Sequence, residues 1–162
     1  PMPFTEEAVN YTVDRIKRVQ DILSCRISLE NVSYYLSPKA ELSEVEFVAA
    51  VIEESDCGLL LDINNVYVNS LNHGYEPVDY IKQLPLDQVS YLHVAGHYIE
   101  EDGLIIDTHG SDVVNPVWDL LTETYKLLGN LPTLLERDFN IPPLGHMLSE
   151  VTMIKERQHQ VQ

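Results

Sequence analysis

Basic residues are scarce in this sequence, and long apolar runs are missing from it. Ten Lys and Arg residues stand against 26 Asp and Glu residues, so the formal net charge is −16. The few cations form no stripe that could neutralise a phosphate backbone, which disfavours nucleic acid as a partner. No apolar run approaches the roughly 20 residues of a transmembrane helix. We therefore expect a soluble protein that binds neither nucleic acid nor membrane.

Cysteine is also rare. Cys25 and Cys57 are the two cysteines of the chain, and their spacing fits neither a zinc motif nor a disulfide framework. We expect both to be small, buried apolar side chains. This cysteine usage predicts a reducing, cytoplasmic location.

What the sequence does contain is an alternation of helical and extended patterns. At 162 residues, 44% of them hydrophobic, it can build one core, and we treat residues 1–162 as a single unit. Apolar spacing, capping residues and first-turn prolines predict helices over residues 5–22, 43–54, 77–84, 115–128 and 142–156. Short apolar segments predict strands over residues 26–30, 58–62, 89–93 and 132–136, and residues 98–106 predict a hairpin.

This alternation predicts an α/β fold with a parallel sheet. Apolar strands separated by helices are typical of a sheet covered on both faces. A doubly wound sheet and part of a (β/α)₈ barrel both fit, although no Gly-rich phosphate loop follows a strand. A complete barrel needs about 250 residues and eight strand–helix units, whereas this chain offers four.

Each predicted strand ends in a residue that can bind a metal ion. These residues are Glu30, Asp62, His93 and Glu136. The carboxyl ends of parallel strands form one face of a sheet, and ligands bind at that face. For any one of the four alone, a helix cap or a loop hydrogen bond is the simpler interpretation. All four together favour a metal site.

The loops that follow these strands add further polar residues. They are Asn64, Asn65, His97, Asp107, His109 and Asp138. Carboxylates and imidazoles without thiolates suit iron, manganese or a catalytic zinc. Converging carboxylates repel one another unless cations offset their charge, which favours more than one metal and a bridging carboxylate such as Glu30. We expect Asn64, His97 and Asp138 to orient the ligands or to contact substrate.

Five strings in this order resemble the multinuclear non-haem iron-dependent oxidase family, which includes the oxidase of methanobactin biosynthesis. They are residues 30–33 (ENVS), 60–68 (LLDINNVYV), 93–97 (HVAGH), 107–110 (DTHG) and 135–138 (LERD). The resemblance covers nearly the whole chain. It implies a xylose-isomerase-like (β/α)₈ barrel, of which this chain resembles the C-terminal half, strands five to eight.

The resemblance also implies an activity. The family uses two or three iron ions and dioxygen to modify cysteines of ribosomally made peptides, often with a partner protein that binds the peptide leader. By this resemblance Glu30 bridges metals, and Asp62, His93 and Glu136 bind a central ion. Asp107 and His109 would hold a further ion. No residue receives a catalytic role beyond metal binding.

Related barrels supply the alternatives. The barrel is also similar to that of trinuclear zinc endonucleases, whose third metal takes a histidine at the position of Asn65. This departure disfavours zinc-endonuclease chemistry and makes Asn65 a candidate iron ligand. A sugar isomerase or a phosphodiesterase that uses zinc or manganese is a second candidate. A non-catalytic structural fragment is a third.

A lone half-barrel has consequences for assembly. It exposes two sheet edges, and exposed edges tend to pair with other chains. The family also takes further histidine ligands from the first half of the barrel. We therefore expect either a homo-oligomer formed through the exposed edges or a fragment of a longer protein. The start at Pro1-Met2-Pro3 agrees with a fragment or a processed form.

Overall fold

A computed structural model describes residues 2–161 of the chain. The helices are α1 Glu6–Leu23, α2 Glu44–Ser55, α3 Ile63–His73, α4 Pro77–Gln83, α5 Asn115–Leu128 and α6 Leu144–Gln160. The strands are β1 Ser28–Glu30, β2 Gly58–Asp62, β3 Val89–Val94, β4 Tyr98–Ile99, β5 Ile105–Ile106 and β6 Thr133–Leu135. Helices and strands therefore alternate as the sequence predicts.

Four parallel strands form the main sheet, in the order β1-β2-β3-β6. Each of these strands is followed by at least one helix. The order in space follows the order in the chain, as in a barrel, whereas a doubly wound sheet reverses its order at a switch point. The fold is α/β with a parallel sheet, consistent with half of a TIM barrel.

Local sequence signals explain where the first two helices begin. Thr5 accepts a hydrogen bond from the backbone N–H of Ala8 at 3.2 Å and so caps α1. Ser43 and Glu46 form a capping box at the start of α2, in which each side chain binds the other residue's backbone N–H. These side chains satisfy N–H groups that the first helical turn leaves without partners.

The helices cover one face of the sheet. Leu61 and Leu92 are fully buried there, in one core with Trp118 of α5. On the opposite face, Leu134 is 52% exposed. On this same face Leu60 of the central strand β2 is buried, so the predicted cover of both faces holds for β2 and is incomplete at β6. In a complete barrel this inner face is filled by side chains from all the strands, of which this chain supplies four.

A helix occurs where the sequence analysis predicts none. α3 begins directly after β2, and Asp62 is both the last residue of β2 and the N-cap of α3. Three asparagines, Asn64, Asn65 and Asn69, are buried within this helix. Its sequence therefore lacks the alternation of an apolar and a polar face by which helices are recognised.

Other differences concern the ends of elements. The β4–β5 hairpin is confirmed as an antiparallel pair. β1 and β6 are shorter than predicted, so Glu136 directly follows its strand. α5 begins at Asn115 without a side-chain cap, and α6 continues to Gln160.

The structure also bears on the expectations about the cysteines and about membrane-spanning helices. Cys57 is buried as expected, whereas Cys25 is exposed because it lies in the turn between α1 and β1. Within residues 2–161, the helices are too short or too polar to cross a membrane.

Candidate metal centre

The four strand ends place their side chains at one end of the sheet. Glu30 ends β1, Asp62 ends β2, His93 lies in β3 and Glu136 follows β6. Asp62 and His93 are register partners in neighbouring strands. Each of the four residues offers one ligand atom, and these atoms all lie within 4.8 Å of one another. Parallel pairing thus brings together residues that are up to 106 positions apart in the chain.

Asp62 is the most deeply buried carboxylate of this group, with no exposed surface. Its Oδ1 accepts a hydrogen bond from the backbone N–H of Asn65 at 2.7 Å, which is the N-cap contact of α3. Burial raises the pKa of Asp62 to about 7, although the Asn65 contact and the charge of His109 oppose this shift. An ionised Asp62 is therefore costly unless a positive charge faces it.

Asn31 fixes the backbone of Asp62. Asn31 Nδ2 donates to the carbonyl oxygen of Asp62 at 3.0 Å, and the N–H of Asp62 donates to Asn31 Oδ1 at 2.8 Å. The carbonyl of Asn31 in turn accepts from Asn65 Nδ2 at 3.0 Å. This arrangement aims the other amide atom of Asn65, Oδ1, away from Asn31 and leaves it available as a ligand.

His93 stands among three carboxylates. Its Nδ1 lies 2.8 Å from Glu136 Oε2, 3.4 Å from Glu30 Oε1 and 4.0 Å from Asp62 Oδ2. Burial alone would lower the pKa of His93, but the neighbouring carboxylates, Glu30 foremost, raise it above its usual value. The cluster thus attracts a positive charge to this point.

The loop that follows β5 brings Asp107 and His109 to the same end of the sheet. His109 Nε2 lies 2.8 Å from Asp107 Oδ1 and 3.8 Å from Asp62 Oδ2. Burial alone would lower the pKa of His109, but Asp107, Asp62 and Glu136 raise it to about 9. Burial alone would raise the pKa of Asp107, but His109 and the hydrogen bonds from Ser33 and Asn64 lower it.

Asn64 and His97 form a chain of hydrogen bonds that ends at Asp107. Asn64 Nδ2 donates to Asp107 Oδ1 at 2.9 Å, and Asn64 Oδ1 lies 2.9 Å from His97 Nδ1. Because the amide oxygen of Asn64 carries no proton, His97 Nδ1 is the donor in this contact. Burial lowers the pKa of His97. Both residues thus lie where the sequence analysis expects ligand-orienting groups.

Five buried atoms of the cluster make no hydrogen bond of acceptable geometry among residues 2–161, although His93 Nδ1 and Glu136 Oε2 lie 2.8 Å apart and His109 Nε2 lies 2.8 Å from Asp107 Oδ1. They are Asp62 Oδ2, Asn65 Oδ1, His93 Nδ1, His109 Nε2 and Glu136 Oε2. Buried polar atoms without partners are rare and costly in native proteins. All five belong to residues expected to bind metal, and their oxygen and nitrogen atoms suit iron, manganese or zinc. The residues therefore fit a cation that the atoms share.

Glu136 belongs to two groups of closely spaced ligand atoms. The first contains Glu30, Asp62 and His93, and the second contains His109 and Asp138. Glu30 belongs to the first group only. Asp138 is exposed, with its Oδ2 3.8 Å from His109 Nδ1. The geometry offers positions for more than one ion, with the Glu136 carboxylate between them.

A third cluster, Asp112, His146 and Glu150, has similar spacing. Arg137 lies between its two carboxylates, and Arg137 Nη2 donates to Asp112 Oδ1 at 3.0 Å and to Glu150 Oε2 at 2.8 Å. The guanidinium, foremost, lowers the pKa of Asp112. Because Arg137 already supplies the positive charge, we interpret this cluster as an ion-pair network and not as a metal site.

Aromatic residues of the β1–α2 loop line a cavity beside Glu30. This cavity of about 540 Å³ is lined mostly by apolar side chains, and Tyr34 and Tyr35 are among them. Tyr34 packs edge-on against Phe4, with ring centroids 5.0 Å apart. The hydroxyl of Tyr35 accepts from the backbone N–H of Asp107 at 2.9 Å. The same loop therefore forms the cavity wall and holds the candidate ligand Asp107.

Several residues that support the site were not recognised from the sequence. Asn31 and Ser33 contact Asp62 and Asp107, which follow them by 31 and 74 positions. Asn69 holds the same loop, because it accepts from the backbone N–H of Tyr34 and donates to the carbonyl of Val32. In the sequence, Asn31 and Ser33 stand in the string of residues 30–33 that carries the resemblance, and Asn69 is one of several asparagines in α3.

Comparison with known proteins identifies related chains. The family model described as "RiPP precursor modification enzyme MbnB/TglH/ChrH" matches residues 1–159. A UPF0276 protein of Shewanella amazonensis is 56% identical over 158 residues, which are 98% of this chain and 57% of the relative. A UPF0276 protein of Nitrosospira multiformis is 59% identical over 155 residues, and one of Neisseria meningitidis is 53% identical over 161 residues.

The coverage of these relatives is uneven. This chain is matched over 95% and 98% of its length by the Nitrosospira and Neisseria proteins, but it covers only 55% and 58% of theirs. The chain thus spans little more than half the length of the curated relatives it matches.

Proposed function

The chain belongs to the MbnB/TglH/ChrH family of enzymes that modify ribosomally synthesised peptide precursors. From this premise we propose that it is the metal-binding part of an iron-dependent oxidase that acts on peptide cysteines. The five candidate ligand atoms without a well-formed hydrogen bond, which lie at the strand ends, in α3 and in the loop after β5, carry this proposal. Iron bound there would supply redox chemistry with dioxygen and a binding position for a thiolate.

Different residues of the chain would bind different ions of such a centre. Glu30, Asp62, His93 and Glu136 would hold one ion, and Asp107, His109 and Asn65 would take part in holding a second. The negative charge of these carboxylates is the reason that cations are expected, because the carboxylates face one another at short range. In keeping with the resemblance, Glu30 is proposed to bridge ions, and the double membership of Glu136 makes it a second candidate bridge.

The supporting residues keep this charge in place before any ion binds. Asn31 holds the backbone of Asp62, and Ser33 donates to Asp107 Oδ2 at 2.8 Å. Asn64 donates to the other oxygen of Asp107, and His97 Nδ1 in turn donates to Asn64 Oδ1. Such contacts hold ligands in the geometry that metal binding needs and raise affinity in known metal sites.

A peptide substrate is proposed on family membership and on the space beside the centre. The apolar cavity next to Glu30 can receive apolar side chains of a peptide whose cysteine reaches the metal. A partner protein that binds the peptide leader, as in relatives of this family, is part of the same proposal. The net charge of −16 disfavours nucleic acid as the substrate.

Oxygen consumption tests this function. The chain and the Shewanella amazonensis relative are loaded anaerobically with Fe²⁺ and mixed with a short cysteine-containing peptide, with its serine analogue as control. We expect oxygen uptake and a mass change of the peptide that require both iron and cysteine. Oxygen-independent turnover of a sugar or a phosphodiester by the zinc-loaded relative would contradict the proposal and favour the isomerase or phosphodiesterase alternative.

A further inference from the structure

The backbone of His109 adopts an unfavourable conformation. Its φ angle is +48°, in the left-handed region that residues with a side chain rarely enter. His109 is also buried, and its imidazole lies among Asp62, Asp107 and Glu136. Strained backbone of this kind persists only where the surrounding structure imposes it, and it concentrates at functional sites.

Neighbouring segments hold the stretch from His109 to Val113 in place. The carbonyl of His109 accepts from the backbone N–H of Asp138 at 2.9 Å. The carbonyl of Gly110 accepts from Asn140 Nδ2 at 3.2 Å. Both donors lie between β6 and α6, so the segment that follows Glu136 fixes the position of His109.

The far end of this stretch is held by α6. The backbone N–H of Val113 donates to Glu150 Oε1 at 2.9 Å. Glu150 is buried, and its second oxygen, Oε2, accepts from Arg137 Nη2 at 2.8 Å. Glu150 therefore needs Arg137 to balance its charge while it binds the loop.

Arg137 joins these contacts into one network. Its side chain is only 3% exposed, and the same Nη2 also donates to Asp112 Oδ1 at 3.0 Å. Arg137 directly follows the candidate ligand Glu136 in the chain. The guanidinium thus connects the segment that carries Glu136 to the loop that carries His109. Among residues 2–161, it makes no hydrogen bond to the side chain of either residue.

We infer that Arg137 is a positioning residue of the metal centre, which holds His109 in its left-handed conformation through Asp112 and Glu150 and so sets its distance from Glu136. This inference rests on the proposed metal-binding function. Without Arg137, the carboxylates of Asp112 and Glu150 repel each other and the loop relaxes. The imidazole of His109 then moves away from Glu136 Oε2, which lies 3.3 Å from His109 Nδ1 in the structure.

Ring-nitrogen NMR of the ¹⁵N-histidine-labelled chain tests this role, with Zn²⁺ as a diamagnetic probe. In the wild-type chain, Zn²⁺ should shift the ring nitrogens of both His93 and His109. In Arg137→Met, the response of His109 should be lost, or its zinc affinity should fall roughly tenfold or more, while His93 still responds. In the metal-free chain, the same change should speed hydrogen exchange at the amide of Val113.

Arg26→Met is the matched control. Arg26 also makes several hydrogen bonds, to the carbonyls of Asp56 and Cys57 and to Gln88, but at the opposite end of the sheet. Its loss should reduce stability and leave the zinc response of His109 unchanged. Selective loss at His109 in Arg137→Met alone thus distinguishes positioning from a general effect on folding.

Two outcomes would overturn the inference in different ways. If Arg137→Met keeps the zinc response of His109 with an affinity within about twofold of the wild type, Arg137 has no positioning role and the proposed function stands. If neither histidine of the wild-type chain responds to Zn²⁺, the metal centre itself fails, and the inference fails with it. Should Arg137→Met not fold, Arg137→Lys decides by the same criterion, because one ammonium cannot reproduce the guanidinium geometry.

Discussion

The carboxamide of Asn31 pairs with both backbone groups of Asp62, as a neighbouring strand would. The two hydrogen bonds measure 3.0 and 2.8 Å, and both residues are buried. The contact extends the pairing of β1 with β2 by one side chain and places the Asp62 carboxylate at the centre of the candidate metal site. An amide that donates and accepts at once is needed here.

Replacement of Asn31 by aspartate removes the donor and keeps the size. The carbonyl of Asp62 then faces a carboxylate oxygen in a buried position, so we expect a loss of roughly 2–3 kcal/mol in the free energy of unfolding. Urea denaturation followed by circular dichroism measures it. Asn10→Asp, on the exposed side of α1, makes the same charge change and should alter stability little. Equal stability of the two variants would mean that the Asn31 contact is not important for folding.

Replacement of Asp62 by asparagine separates metal binding from folding. Burial raises the pKa of Asp62 to about 7, so at pH 8 the metal-free chain contains a buried, ionised carboxylate. Asparagine keeps an oxygen that can accept from Asn65 and removes the charge. We expect metal-free Asp62→Asn to be at least as stable as the wild type at pH 8, while its affinity for metal falls roughly a hundredfold or more.

The control for that variant is Asp56→Asn. Asp56 is an exposed C-cap of α2 with a positive φ angle, which asparagine tolerates. Its metal affinity and stability should match those of the wild type. If Asp62→Asn binds metal as tightly as Asp56→Asn does, Asp62 is not a ligand.

Glu44 gives the stability of the chain a pH dependence that is independent of metal. It is buried at the start of α2, where Asn69 and Tyr80 donate to Oε1 at 2.9 and 3.0 Å and Tyr75 donates to Oε2 at 3.3 Å. Burial raises the pKa of Glu44 to about 7, and the three donors offset only part of this effect. No cation contacts the carboxylate within the described residues, since the groups that face it are an amide and two phenols.

The sign of this dependence follows from linkage. The folded chain holds a proton on Glu44 up to about pH 7, whereas the unfolded chain releases it near pH 4.5. The contribution of Glu44 is therefore most favourable at low pH and is lost as the pH rises towards 7, by up to about 1.4 kcal/mol per pH unit. Urea denaturation between pH 5 and pH 8 should show that Glu44→Gln loses less stability over this range than the wild type does.

Glu53→Gln is the control for the pH series. Glu53 lies exposed on the same helix, and its replacement should leave the pH profile of stability unchanged. If Glu44→Gln and the wild type have parallel profiles, Glu44 has the same pKa in the folded and unfolded chains and the assignment is wrong.

Gly96 permits the close approach of the loop that carries His109. A Cβ atom at this position would overlap the backbone carbonyl oxygens of Ser111 and Asp112, which belong to the loop that carries His109. Gly96→Ala should therefore cost about 1–3 kcal/mol of stability and weaken metal binding. Gly145→Ala, in α6 with open space around it, should be neutral or stabilise the chain by up to about 1 kcal/mol. Thermal denaturation with and without metal compares the two, and equal effects would contradict this account of Gly96.

The sequence predicted most of the fold because its signals are local. The capping box of α2, the apolar segment of β2 and the hairpin of residues 98–106 each need only a few neighbouring residues. α3 was not predicted because Asn64, Asn65 and Asn69 are buried in it. Asparagine disfavours helices, and at buried positions it also interrupts the apolar pattern by which a helix is recognised.

The strand-end residues of the candidate site could be predicted from the sequence, but the contacts that hold them could not. Glu30, Asp62, His93 and Glu136 could be grouped because strand ends of a parallel sheet share a face, whatever their distance in the chain. The contacts of Asn31 with Asp62 and of Arg137 with Glu150 depend on side-chain orientations that no periodicity encodes. The left-handed backbone of His109 likewise has no signal in the residue itself.

Iron content tests the central claim most directly. The chain is loaded anaerobically with Fe²⁺ alone, because Zn²⁺ would displace iron from most oxygen and nitrogen sites, and is then dialysed and analysed for metal beside Asp62→Asn and Asp56→Asn. Because several carboxylates converge, we predict more than one iron ion per chain in the wild type and in Asp56→Asn, and a clear loss in Asp62→Asn. Less than one iron per chain in the wild type, or an iron content of Asp62→Asn equal to that of Asp56→Asn, would contradict the account.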